Sequence, residues 1–107
     1  MPMDTQLELI SMNLIANAGD ARSYGFRALE AAKQGNFKEA DDFLQKASEA
    51  SNQAHQYQTD LLTNEANGEQ LDINVLLIHA QDHLMTSMLA VELIKELVDI
   101  YRTRGEE

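Results

Sequence analysis

Apolar residues recur every three or four positions through most of the chain, which is the spacing of an α-helix that buries one face. In the first third of the chain this spacing joins Leu7, Ile10, Leu14, Ala18, Ala21, Gly25, Ala28 and Ala32. In the second third it joins Phe37, Ala40, Leu44, Ala47, Ser51, Ala54, Gln58 and Leu61. Because the later positions of the first face are all small, we expect a neighbouring helix to approach that face closely.

Two glycines, Gly35 and Gly68, have polar residues on both sides and mark the natural breaks between helical segments. The pattern predicts helices over about 5–34, 36–67 and 72–104, within a single domain over 1–107. Because the connections between these helices are short, neighbouring helices should run antiparallel. We therefore expect an all-α, up-down-up three-helix bundle.

The predicted helix ends follow from capping residues. Thr5 and Asn36 are each followed three positions later by a glutamate, which is the spacing of a capping box. Asp72 is the expected cap of the third helix, and Gly68 is expected to end the second helix in a left-handed conformation.

The third segment carries two apolar stripes on roughly opposite sides of the helix. One stripe contains Ile73, Leu77, Ala80, Leu84, Met88, Val91 and Val98. The other contains Val75, Ile78, Asp82, Met85, Leu89, Leu93 and Ile100. A three-helix monomer needs only the first stripe, and a large exposed apolar strip usually marks an interface. We expect self-association through the third helix, and a wider intramolecular core is the alternative.

Asp82 lies in the middle of the second stripe, between Ile78 and Met85. A buried carboxylate there is costly unless it is paired or bound to a cation. If the stripe lies on a symmetry axis, copies of Asp82 converge, and they either repel one another or bind a divalent cation. A solvated Asp at the edge of the stripe is the alternative.

Two of the three histidines are candidates for chemistry. His79 and His83 are four residues apart, so they share one helix face between the two stripes, whereas His55 lies among polar residues and is expected at the surface. The pair suits three roles: partly buried structural histidines, two ligands of a zinc site that lacks a third, or a nucleophilic His oriented by its neighbour. Gln81 and Thr86 are neutral hydrogen-bonding groups nearby.

Charge narrows the choice of partners. Eight Lys and Arg against 18 Asp and Glu give a net charge of −10, which disfavours nucleic acid and anionic membranes. No window approaches the roughly 18 to 20 apolar residues that span a bilayer, and the start of the chain lacks the pattern of a secretory signal. The chain contains no Cys, which excludes disulfides and thiolate chemistry. We expect a cytoplasmic protein with a basic protein partner.

A family resemblance adds to these observations. The ten residues at 79–88, His-Ala-Gln-Asp-His-Leu-Met-Thr-Ser-Met, resemble the active-site helix of the enzyme IIA components of the lactose/cellobiose (N,N′-diacetylchitobiose) branch of the bacterial phosphoenolpyruvate-dependent sugar phosphotransferase system. Two further stretches, at 18–23 and 31–40, also resemble that family. The similarity covers nearly the whole chain.

The resemblance implies a phosphocarrier that works as a homotrimer of three-helix subunits. It implies that His79 takes a phosphoryl group from the histidine-containing phosphocarrier protein and passes it to a cysteine of enzyme IIB. The sugar, cellobiose/chitobiose or lactose, is then phosphorylated as it crosses the membrane through enzyme IIC.

It further implies that Asp82 lies on the threefold axis, where a divalent cation can bind the three carboxylates, and that His83 supports the active site. Gln81 is a further supporting candidate, since no Lys or Arg lies within fifteen residues of His79. The rival hypothesis is a non-catalytic helical interaction module, or a small metal-binding bundle that uses His79 and His83.

Overall fold

The computed structural model describes residues 2–106, which form three α-helices and no strand. Helix α1 spans Pro2–Lys33, α2 spans Phe37–Ala66 and α3 spans Val75–Glu106. The described part of the chain is a rod of 58 × 19 × 19 Å. None of these helices is long and apolar enough to cross a membrane. The predicted all-α bundle is confirmed.

The core clusters show that α1 and α3 run in the same direction and that α2 runs in the opposite one. One end of the rod is filled by Leu7, Leu14, Ala54, Leu61, Leu77, Ala80 and Leu84. The other end is filled by Ala31, Ala32, Ala40, Ile94 and Val98. Helix α1 packs closely on both other helices, whereas α2 and α3 touch each other much less.

Small residues on α1 bring α3 close, as the sequence predicts. Ala18, Ala21 and Ala28 are almost fully buried on this face. A Cβ placed on Gly25 would lie 3.1 Å from Ile94 Cδ1 and 3.5 Å from Val91 Cγ2. Because the side chains of Ile94 and Val91 fill the space next to Gly25, the rotational setting of α3 against α1 is fixed.

Both predicted breaks end a helix in the same way. Gly35 has φ 80° and Gly68 has φ 91°, a left-handed conformation that glycine adopts without strain. At the first turn the N–H of Asn36 donates to Ala31 O and the N–H of Gly35 donates to Ala32 O. At the second, Glu69 and Gly68 make the equivalent bonds to the last turn of α2. These pairs are Schellman motifs, which satisfy the final carbonyl groups of each helix.

Two of the predicted helix starts are wrong. Helix α1 already begins at Pro2, where the fixed φ of proline suits a first helical position, so Thr5 lies inside the helix and not at its start. Helix α3 begins at Val75 and not near 72, and Asn74 Oδ1 accepts a 2.8 Å hydrogen bond from Leu77 N at its start. Ile73 therefore precedes the helix and is 77% exposed, although the pattern placed it in the first stripe.

The cap of α2 is only partly as predicted. Asn36 occupies the N-cap position, and its carbonyl accepts the first intrahelical bond from Ala40 N. Its side chain makes no capping hydrogen bond. The box-like spacing from Asn36 to Glu39 thus marks the start of α2 correctly, but the side-chain bond is not formed.

The two glycines inside α1 should respond differently to substitution. Gly19→Ala should raise the free energy of unfolding by about 1 kcal/mol or less, because Ala favours a helix interior and the added methyl meets no neighbouring atom within 4 Å. Gly25→Leu should lower it by about 1–3 kcal/mol, because the side chain would be forced into Ile94. Urea unfolding at one protein concentration measures both, and equal responses would contradict the close approach at Gly25.

The cap of α3 makes a second test. Asn74→Ala should lower the free energy of unfolding by about 1 kcal/mol, because the amide of Leu77 loses its acceptor. Asn36→Ala is the matched control, since this N-cap side chain makes no such bond, and it should change stability by less than about 0.5 kcal/mol. Thermal and urea unfolding of both variants decide the point, and a larger loss for Asn36→Ala would refute the assignment.

Candidate functional site

The two candidate histidines on α3 are in contact. The ring centroids of His79 and His83 are 4.4 Å apart, and the ring planes meet at 78°, so the edge of one ring faces the other. The His79 side chain is exposed and that of His83 is half-buried. The pair therefore offers one accessible imidazole in contact with a half-buried one.

Next to the histidines runs an uncovered apolar surface, which we call the outer strip. It consists of Val75, Ile78, Asp82, Met85, Leu89, Leu93, Leu97 and Ile100. Its apolar side chains are between 40% and 82% exposed, although the opposite side of α3 is buried in the bundle. The alternative of a wider intramolecular core is thus wrong, because the bundle covers only one side of α3. The sequence pattern missed Leu97, which extends the strip.

Asp82 lies within the outer strip and is exposed. Its carboxylate makes no hydrogen bond or ion pair with another described residue. In a single chain Asp82 is therefore solvated, which is the alternative to a buried carboxylate on a symmetry axis. Burial of Asp82 requires that another chain covers the strip.

The histidines and Gln81 lie on opposite edges of the outer strip. Gln81 follows His79 by two residues, which places it about 200° around a helix that turns about 100° per residue. Its Oε1 accepts a 2.7 Å hydrogen bond from Gln58 Nε2, so this edge faces α2. The edge with His79 faces α1, because Ile94, on the same side of α3 as His79, packs against Gly25. Within one chain Gln81 is turned away from His79, and its supporting role stays a prediction.

The other predicted polar neighbour, Thr86, is engaged by its own helix. Its Oγ1 donates to Asp82 O at 2.8 Å and lies 3.4 Å from His83 O. Such back-bonding is common for Thr in a helix. The Thr86 hydroxyl proton is therefore not available to a group carried on His79.

Cationic side chains are far from the histidines. Gly25 packs level with Val91, which lies 12 residues beyond His79, or about 18 Å along a helix that rises about 1.5 Å per residue. Arg22 is one turn below Gly25 and stacks on Phe26, with its guanidinium carbon 5.9 Å from the ring centre. Arg27 lies on the other side of Gly25, over Tyr24. Neither arginine reaches His79 in its own chain.

The described residues hold no group of three or more His, Asp or Glu side chains arranged to bind a metal ion. His79 and His83 therefore lack a third ligand in one chain, and a structural zinc site needs four ligands. The described residues therefore do not support the rival hypothesis of a small bundle that binds a metal ion through His79 and His83.

The sequence matches the family model of the "PTS system, Lactose/Cellobiose specific IIA subunit" over residues 9–102. The chain belongs to this IIA family. The match includes the histidines, Asp82 and the outer strip, so the resemblance noted for residues 79–88 is confirmed at the level of the family. A IIA subunit of this family has a phosphocarrier role in a disaccharide phosphotransferase system.

Named relatives cover nearly the whole IIA chain. It is 46% identical over 96 residues to the N,N'-diacetylchitobiose-specific EIIA component of Escherichia coli strain K12, covering 90% of this chain and 83% of the relative. It is 39% identical over 105 residues to the lichenan-specific enzyme IIA component of Bacillus subtilis, covering 98% and 96%. It is 41% identical over 97 residues to the lactose-specific EIIA component of Staphylococcus epidermidis, covering 91% and 93%.

Two solved structures share its fold. The cellobiose-specific enzyme IIA from Bacillus anthracis superposes with a TM-score of 0.92 at 48% identity, over 94% of this chain and 93% of that one. The IIA(Chitobiose) of the N,N'-diacetylchitobiose system, solved in complex with HPr, gives a TM-score of 0.81 at 42% identity, over 92% and 96%. Both similarities extend along all three helices.

One residue at the site was not singled out from the sequence. Gln58 appears in the pattern only as a polar interruption in the apolar face of α2, and the structure shows it bonded to Gln81. A polar residue between buried Ala54 and Leu61 is the signal that could have pointed to it. Its partner is 23 positions away, so only the packing of α2 on α3 reveals the pair.

Proposed function

We propose that His79 is the residue of this IIA subunit that carries the phosphoryl group. The single observation that supports this most is the exposed His79 ring held edge-to-face against His83 beside an uncovered apolar strip. An imidazole that is accessible and oriented by a second group meets the needs of a nucleophile. The family match supports phosphoryl transfer over a passive helical module.

The reaction is an in-line exchange between two imidazoles. A ring nitrogen of neutral His79 attacks the phosphorus of the donor's phosphohistidine, so a new N–P bond forms as the donor's N–P bond breaks. The donor imidazole leaves with the electron pair and is ready to take up a proton. In the second half of the cycle a cysteine thiolate of enzyme IIB attacks the phosphorus in the same way, and His79 is the leaving group.

We propose HPr, the histidine-containing phosphocarrier protein, as the donor. A structurally similar IIA was solved in complex with HPr, which supports this partner. The net charge of −10 per chain, or −30 for three chains (3 × −10), favours association with a basic protein. Enzyme IIB is the acceptor and enzyme IIC acts only indirectly. The cellobiose- and chitobiose-specific relatives, at 48% and 46% identity, support a sugar of the cellobiose/chitobiose type over lactose.

The outer strip supports a homotrimer in which three copies of α3 pack around one axis. An apolar surface of this length is rarely left in water. In a ring of three, the α1 edge of one strip meets the α2 edge of the next, because cyclic contacts are head-to-tail. His79 of one subunit then lies at a boundary with Gln81 of its neighbour. This arrangement gives Gln81 the supporting role that it lacks within one chain.

Three copies of Asp82 would meet at the axis of this trimer. One chain supplies a single carboxylate without a partner, so only the assembly offers several oxygen ligands together. Oxygen ligands suit a hard divalent cation such as Mg²⁺ or Ca²⁺. Such an ion would neutralise the converging carboxylates, and it takes no part in the exchange between imidazoles.

His79→Gln should abolish phosphate acceptance and leave the helices intact, since it removes the nucleophile from an exposed position. The measurement is intact mass after incubation with phosphoenolpyruvate, enzyme I and HPr, with an acid-labile, base-stable gain of one phosphoryl group expected for the wild type. His55→Gln, a change at an exposed histidine on α2, is the matched control and should still be phosphorylated. Phosphate uptake by His79→Gln would disprove the assignment.

Asp82→Leu should strengthen the trimer, because it removes three like charges from an apolar contact. Each buried unpaired charge costs several kcal/mol, so the dissociation constant of the assembly should fall by more than about tenfold. Sedimentation velocity over a dilution series at neutral pH measures this, and metal analysis should show loss of any bound divalent ion. Dissociation of the variant to monomers would contradict the axial position of Asp82.

A further inference from the structure

The hydrogen bond between Gln58 and Gln81 joins two helices that otherwise touch little. Gln58 Nε2 on α2 donates to Gln81 Oε1 on α3 at 2.7 Å, and both side chains are half-buried. Gln58 lies on the face of α2 that buries Ala54 and Leu61, where an apolar residue would fit the pattern better. A polar residue retained at such a position fixes a specific arrangement of its partner.

An amide side chain has one end that accepts hydrogen bonds and one that donates them. Gln58 occupies the accepting end of Gln81, and no other hydrogen bond of the Gln81 side chain is made among the described residues. The two N–H groups on Gln81 Nε2 thus remain available to donate hydrogen bonds to another group. If Gln81 rotated by half a turn, its carbonyl oxygen would face outward and would repel phosphoryl oxygens.

Hydrogen-bond donors are scarce near His79, so the orientation of the Gln81 amide matters for binding a phosphoryl group. No Lys or Arg lies within fifteen residues of His79, and the Thr86 hydroxyl is bound to the Asp82 carbonyl. A transferred phosphoryl group spreads negative charge over three oxygens, which need donors that are already in place. The Nε2 of Gln81, at the edge of the outer strip, is one of the few neutral donors that the chain can supply.

We propose that Gln58 is a positioning residue that holds Gln81 with its Nε2 toward the phosphoryl group on His79 of the neighbouring subunit. The inference rests on the proposed function of His79. Gln58 itself does not touch the phosphoryl group. Its effect on transfer passes entirely through Gln81, and this separates it from a residue that merely stabilises the bundle.

A double-mutant cycle tests the proposal. The rate of phosphate transfer from phosphorylated HPr is measured for Gln58→Met, Gln81→Met and the double variant, each of which keeps side-chain length but loses the amide. Each single change should slow transfer by about tenfold, the effect of losing one hydrogen bond to a charged group. The double variant should be no slower than Gln81→Met alone, because Gln58 has nothing left to position.

Two controls separate this role from a structural one. Gln56→Met changes an exposed glutamine of α2 whose Nε2 bonds to Asp60 Oδ1 at 3.1 Å, and it should leave the rate within about twofold of the wild type. The side-chain amide of Gln81, observed by ¹⁵N NMR, should shift on phosphorylation of the wild type and shift little in Gln58→Met. Loss of the helix–helix hydrogen bond alone produces neither the rate effect nor this change.

The outcomes are distinct. A Gln58→Met protein that transfers phosphate within about twofold of the wild type overturns the inference, and so does an equal further loss when Gln58→Met is added to Gln81→Met. In both cases the wild type is still phosphorylated on His79, and the proposed function survives. A wild type that takes no phosphate on His79 overturns the proposed function first, and the inference with it.

Discussion

Helix α3 has two apolar sides, and the three-helix bundle can bury only one of them. Leu84 and Val98 are fully buried against the other helices, whereas Met85, the residue after Leu84, and Leu89 face solvent. Covering the second side would remove a large apolar surface from water, and burial of apolar surface is favourable by about 25 cal/mol per Å². Because this side stays uncovered in one chain, a second chain that packed on it would put the edges of the outer strip at the boundary between subunits.

The position of the functional groups on those edges follows from packing far from the histidines. The small face of α1 lets Gly25 come within contact of Ile94 and Val91, which fixes the rotation of α3. The same rotation turns His79 toward the α1 edge and Gln81 toward α2, where Gln58 receives it. A bulky residue at Gly25 would therefore disturb the site as well as the core. Stability and site geometry depend on the same close contact.

Much of this could be predicted from the sequence because it depends on local periodicity. The small face of α1, the turns at Gly35 and Gly68 and the outer strip all follow from spacing or from a single residue type. The starts of α1 and α3 could not be predicted, since several residues there are able to cap a helix, and only the structure shows that Asn74 accepts the bond from Leu77 N. Ile73 was misplaced for the same reason.

The candidate site was predictable only in part. The spacing of His79 and His83 predicts their contact, and the family resemblance, not the spacing, supplies phosphoryl transfer. Gln81 is two residues from His79 in sequence and on the other edge of the helix in space, a relation that requires the helix to be known first. The Gln58–Gln81 bond joins positions 23 apart, so no local pattern encodes it.

The scarcity of cations around His79 is consistent with a carrier that must release what it binds. An Arg or a helix N-terminus at the phosphoryl oxygens would stabilise the phosphohistidine and raise the barrier to transfer onward, because tight binding of an intermediate deepens the well from which the next step starts. Neutral amide donors, as proposed for Gln81, would hold the oxygens in place at a smaller cost to the second transfer. Charge is instead distributed over the outside of the bundle, where Asp and Glu outnumber Lys and Arg, and there it can speed encounter with a basic partner without holding the phosphoryl group. The chain thus separates attraction of the partner from retention of the phosphate, and a protein that is phosphorylated and dephosphorylated in every cycle needs that separation.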